Sequence, residues 1–179
     1  MTMFMRRSDG CVARFGAGEA AVLQDVILEV VSLLSDGFDR ADPVIDRLFP
    51  DLYRDDPEVS AELRRYTDED LRSAKLEQAA LLLDGLPVGG GEVRLDDEQS
   101  EGWLRALTDA RLALGLRLNI TDETDLEVEI DEAVLRDPTS ARVGHLSVYA
   151  YLTYLQESLV GALLDEGKGR RRDEFPTRS

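Results

Sequence analysis

The sequence predicts a mainly α protein, a single-domain helical bundle with a small two-stranded β element. Three observations carry that prediction. Apolar residues recur at steps of three and four through the long segments 19–35, 68–84, 96–118 and 140–164. Start and stop signals such as Asp36-Gly37, Asp56-Pro57 and Asp96 with Gln99 frame those segments. Only 11–16 and 92–95 read as short and β-prone. A chain of 179 residues fits one domain. It buries roughly 70% of the surface it exposes unfolded, so its core needs no disulfide or metal.

Residues 1–10 are predicted as an N-terminal arm, 11–165 as the helical domain and 166–179 as a disordered tail. Cys11 to Gly16 is a short strand ended by glycine. The helix from Glu19 to Ser35 carries the stripe Leu23, Val26, Ile27, Val30, Leu33 and Leu34. Val22 and Val31 widen it, which predicts burial on more than one side. Pro43 opens one or two helical turns, with Leu48, Phe49, Leu52 and Tyr53 as plugs into the core. Asp56-Pro57 starts a short helix to Tyr66. Thr67-Asp-Glu-Asp70 has capping-box spacing and starts a separate helix to Asp84, with Leu71, Ala74, Ala79, Leu82 and Leu83 inward.

Gly85 to Gly91 is a turn, and Glu92 to Leu95 a second strand that pairs with the first. Asp96 caps the helix that ends near Leu118, with the seam Trp103, Leu107, Ala110 and Leu114. Gly102 and Gly115 cost this helix about 1 kcal/mol each against alanine, so they mark close helix contacts. Asp125 to Asp131 alternates acid and apolar, which predicts an extended piece followed by a turn of helix. The last helix spans Ser140 to Leu164, with the stripe Val148, Tyr149, Leu152, Leu155, Leu159 and Leu163. Tyr151 and Tyr154, with Ser147 and Ser158, form its second face.

Charge narrows the partners. Acids number 37 against 21 bases, a net charge of −16. Nucleic-acid affinity draws on Lys and Arg at phosphates, so this balance argues against direct nucleic-acid or anionic-membrane binding. The apolar stretches fall short of the about 20 residues that span a bilayer. No apolar core follows Arg6 and Arg7 as a signal peptide requires, and the lone Cys11 suits a reducing cytoplasm.

Gly16-Ala-Gly18-Glu-Ala-Ala21 has the G-x-G-x-x-A spacing of a dinucleotide loop. Its context is wrong: Arg14 interrupts the preceding strand, and Glu19 sets a negative charge where phosphates sit. No cofactor is therefore expected. Acidic runs at 51–58, 68–70, 96–101 and 122–132 mostly fall at helix starts, where the dipole favours them. His145 is the one histidine, and with one cysteine and scattered carboxylates it makes no zinc site. No catalytic residue and no metal ligand is assigned. Cys11 is the redox candidate, beside Arg6, Arg7 and Arg14, with a small buried hydrophobe as the alternative. Tyr151, Tyr154 and Trp103 are the candidates for a partner interface, because aromatics with polar tips suit interfaces; the Tyr151–Tyr154 face reads equally as core or as a homodimer or partner surface.

An ordered set of segments then stands out: Leu48-Phe-Pro-Asp-Leu-Tyr53, Thr67-Asp-Glu-Asp-Leu71 with Lys75-Leu76, and Leu95-Asp-Asp-Glu-Gln99. Trp103-Leu-Arg-Ala-Leu107, Asp109-Ala-Arg-Leu112, Val148-Tyr149 and Leu155-Gln-Glu-Ser-Leu159 complete it. The set resembles an actinobacterial family of oxidative-stress transcriptional regulators (AosR-like), long catalogued only as a domain of unknown function. The resemblance covers about Cys11 to Leu163. It implies a cytoplasmic, non-enzymatic regulator that binds a stress sigma factor. It also implies an N-terminal C-x-x-x-C disulfide switch. That pair is missing, since Arg7 and Phe15 flank Cys11 at the required spacing. Two rival readings stay open: a structural homodimer or adaptor with no redox role, and an enzyme using an acidic pocket.

Overall fold

A computed structural model of the chain describes residues 2–36, 38–51 and 55–165. Six helices and one three-stranded sheet are formed among them. The helices are α1 (Ala17–Ser35), α2 (Pro43–Leu48), α3 (Pro57–Gly85), α4 (Asp97–Arg117), α5 (Leu126–Arg136) and α6 (Ala141–Leu164). The strands are β1 (Met5–Arg7), β2 (Gly10–Phe15) and β3 (Gly91–Leu95), antiparallel in the order β1-β2-β3. The mainly α class with a small β element is as the sequence predicts. Leu52, Tyr53 and the tail 166–179 lie outside the described residues.

Helix α4 is central: α1, α2, α3 and α6 all pack on it, and the sheet rests on α4 and α6. Cys11, Ala13 and Phe15 of β2 and Val93 and Leu95 of β3 face inward, while Arg14, Glu92 and Arg94 face out. Phe4, Phe15 and Trp103 form one aromatic cluster, with ring centroids about 6 Å apart. Burial of Leu23, Ile27, Val30 and Leu34 seats α1 by the stripe the sequence marks.

The sheet differs from the two-stranded expectation. Residues 5–7 pair with β2, Met5 opposite Val12 and Arg7 opposite Gly10, so part of the arm is edge strand. Burial of Phe4 anchors it. Gly10 makes the turn: its φ is +138°, and a Cβ there would lie 1.9 Å from the Leu95 carbonyl oxygen.

Two further segments depart from expectation. The predicted helices 57–66 and 68–84 are one helix, α3. Thr67 does not cap; its hydroxyl donates to the Leu63 carbonyl within the running helix. The bidentate pairs Arg64–Asp51 and Arg40–Asp68 tie this helix to the segments after and before α2 respectively. Leu71 is on its outer side, 38% exposed, not inward. Segment 126–136 is helical, not extended. Asp125 caps it by accepting from the Glu127 and Val128 amides. Leu126, Ile130 and Ala133, at steps of four and three, pack with Leu118 and Leu146.

Candidate functional site

Helices α1 and α6 lie on either side of α4 and scarcely touch each other. An open groove of about 610 Å³ remains between them. Its floor is Ala110, Ala113 and Leu114 of α4; its walls include Val26 and Val30 of α1 and Val148 of α6. A second depression of about 250 Å³, between Gly18 and Tyr151, shares Val22 and Val148 with the first. The two are therefore one continuous furrow. Val22, which the sequence assigns to a second buried face, is 37% exposed on its wall.

Polar groups sit at the rim. Asp25 and Glu29 line the α1 side, and Arg117 stands 3.6 Å from Glu29. His145 is exposed on the α6 side. Cys11 lies in the sheet core, in a different part of the molecule from the groove that His145 lines.

The closed end of the furrow explains Tyr151. Thr2 donates its amide to Glu19 Oε1 at 2.9 Å, and its hydroxyl lies 2.6 Å from Oε2. Gly16 donates its amide to the same carboxylate at 2.9 Å. Burial raises the Glu19 pKa, but these hydrogen bonds prevail and hold it below its ordinary value. The Tyr151 hydroxyl is buried beside Thr2 and Glu19; burial outweighs the opposing Thr2 interaction and, with a smaller contribution from the Glu19 charge, pushes it up to about 12. The turn at Gly16 and Ala17 is thus engaged from within the chain. Glu19 accepts the Gly16 amide just before α1, and the Gly90 backbone covers the turn, where an added Cβ would sit 2.7 Å from the Ala17 nitrogen.

The interface candidates fall in different places. Trp103 is fully buried in the core, because its flat ring fills the junction of sheet, α3 and α4; this corrects the expectation of a surface role. Tyr151 and Tyr154 are half-buried. The second face of α6 is divided: Ser158 accepts the Phe4 amide at 3.2 Å and is covered by the chain's start, while Ser147 and Val148 line the open furrow. Cys11 is 0% exposed between Arg6 of β1 and Leu95 of β3.

The acids are largely engaged or outward. Asp109 on α4 meets Lys75 on α3 at 2.7 Å inside the bundle. Burial dominates over the lysine's pull and raises the Asp109 pKa. A depression of about 510 Å³ is lined by Asp46, Arg47 and Asp51, and Arg40 stands 3.9 Å from both of these acids. Among the described residues no three of His, Cys, Asp and Glu gather as a metal site needs. No helix among them is long and apolar enough to cross a membrane.

Known proteins place the chain. Oxidative stress regulator AosR of Mycobacterium tuberculosis (strain ATCC 25618 / H37Rv) is 35% identical over 136 residues, 69% of this chain and 59% of the relative. The protein of the same name from Mycobacterium bovis matches to the same extent. The putative oxidative stress regulator AosR of Mycobacterium leprae (strain TN) is 34% identical over the same span. The chain thus spans 59% of the length of these curated relatives. No solved structure matches. The family model described as "Domain of unknown function (DUF2017)" matches residues 1–163, and the chain belongs to that family.

Proposed function

We propose that the chain is a non-enzymatic, cytoplasmic regulator of the oxidative-stress response that works by binding other proteins. The partner implied by the family resemblance is a stress sigma factor. The observation that carries this reading is the similarity, over 136 residues, to relatives named oxidative stress regulator. Two features support it. The net charge of −16 suits docking on a basic protein surface, speeding association more than it deepens affinity. The furrow between α1 and α6 is apolar-floored, and its rim acids Asp25 and Glu29 stand apart from the buried Asp109.

The test is genetic. Deleting the gene should blunt induction of antioxidant and cysteine-supply transcripts under peroxide, and the full chain should restore it. Unchanged transcripts in the deletion strain would remove the reading. A second reading, an adaptor or homodimer with no redox role, draws on the full burial of Cys11. Under it the Cys11→Ser chain restores induction as well as wild type does.

A further inference from the structure

The furrow between α1 and α6 is left unfilled by the fold, and its chemistry is one-sided. From Gly18 to Leu33 along α1 it runs about 22 Å, or roughly four helical turns. Its floor carries the small residues Ala110 and Ala113, which let a helix backbone approach α4 to the usual 8–10 Å. The apolar surface here is only partly covered: Val22 is 37% exposed, and Val26 and Val148 are partly buried against the core. The charged rim residues on α1, Asp25 and Glu29, are acidic; the base at that end, Arg117, already faces Glu29 at 3.6 Å. On the α6 side the rim carries Ser147 and His145, and no acid or arginine.

We infer that this furrow is the docking site for a basic amphipathic helix of a partner protein, with its apolar face on α4 and its lysines or arginines along Asp25 and Glu29. The assignment deepens the regulator reading and rests on it, since that reading makes the occupant a protein. Charge selects between occupants. A second copy of the chain would bring another −16 against the same rim, whereas a basic helix gains from it.

The test uses the full chain and a dye-labelled synthetic helix about four turns long, leucine and alanine on one face and lysine on the other, with a glutamate counterpart. Fluorescence anisotropy should show saturable binding of the lysine peptide, at least about tenfold tighter than the glutamate one and weakening with salt. Val22→Asp discriminates. Val22 is exposed, so the variant folds; it adds negative charge, which would strengthen non-specific attraction but spoils the apolar wall. Docking in the furrow predicts at least about a tenfold loss for Val22→Asp and for Asp25→Lys/Glu29→Lys, and no loss for Glu123→Lys, an exposed site elsewhere. Equal or tighter binding by Val22→Asp, equal binding of both peptides, or no binding overturns the inference. So does sedimentation showing a dimer that Val22→Asp dissociates. Transcript induction by the Val22→Asp chain separates the two ideas. If that chain restores induction and peptide binding fails, the furrow is wrong and the regulator reading stands. If deletion has no effect on transcripts, the regulator reading falls whatever the peptide does.

Discussion

Lysine is rare in this chain, Lys75 and Lys168 among 21 bases, and Lys75 lies inside the bundle. Its Nζ lies 2.7 Å from Asp109 Oδ1, with the two side chains 13% and 9% exposed. The ammonium also stands 5.9 Å from the Phe49 ring centroid. Lys75→Met keeps the packing of the stem and leaves Asp109 buried without its cation. Breaking a buried pair from one side costs about 3–5 kcal/mol, a large share of a typical stability of about 5–15 kcal/mol. Replacing both, Lys75→Met with Asp109→Leu, returns to within about 2 kcal/mol of wild type, because neither desolvation penalty remains. The sign with pH follows from the raised Asp109 pKa. A carboxyl whose folded pKa is raised contributes stability that is present below its unfolded pKa and lost as pH rises through the folded one. In Lys75→Met only burial acts on Asp109, so the deficit is greatest above its folded pKa and shrinks as pH falls through it. Urea titration followed by emission of the single, fully buried Trp103 measures each value. A single-variant cost below about 1 kcal/mol, or a deficit that does not shrink as pH falls, would overturn this expectation.

Other outcomes follow from the same geometry. Gly10→Ala should destabilise by more than about 2 kcal/mol, since the left-handed backbone and the Leu95 carbonyl both oppose a Cβ. Gly18→Ala should stabilise by up to about 1 kcal/mol, because nothing lies within 4 Å of the added atom; thermal melts of the pair decide. Glu19→Gln should cost under about 1 kcal/mol at neutral pH. Its folded pKa is lowered, so that contribution is present above the unfolded pKa, and the gap should close as pH falls through the folded one. Cys11 should resist iodoacetamide in the native protein and react fully in urea, read by intact mass, with fast native alkylation showing that β1 opens readily.

Much of the fold was legible because periodicity and capping agree with packing. α1, α4 and α6 follow their apolar stripes, and the capping box Asp96–Gln99 opens α4 as its spacing implies. Gly102 and Gly115 do mark close approaches: added Cβ atoms would meet Leu81 at 2.6 Å and Tyr149 at 2.9 Å. The misses have physical causes. The alternation at 125–131 satisfies a helix equally well through Leu126, Ile130 and Ala133, and the contact with α6 decides in its favour. Thr67 mimics a helix start, but its surroundings let α3 continue. Met5 to Arg7 has no pattern of its own and becomes strand because the β2 edge needs a partner. The furrow had a signal in the sequence, since the stripes of α1 and α6 are wider than one buried face requires. Width alone does not say whether the surplus is covered; the seating of both helices on α4 leaves it open.

The most direct measurement is a calorimetric titration of the purified full chain with a purified stress sigma factor from the same organism, at low and high salt. A one-to-one complex that weakens as salt rises and fails with the Val22→Asp chain is expected. Absence of binding at either salt, with reduced and with peroxide-treated protein, would contradict it.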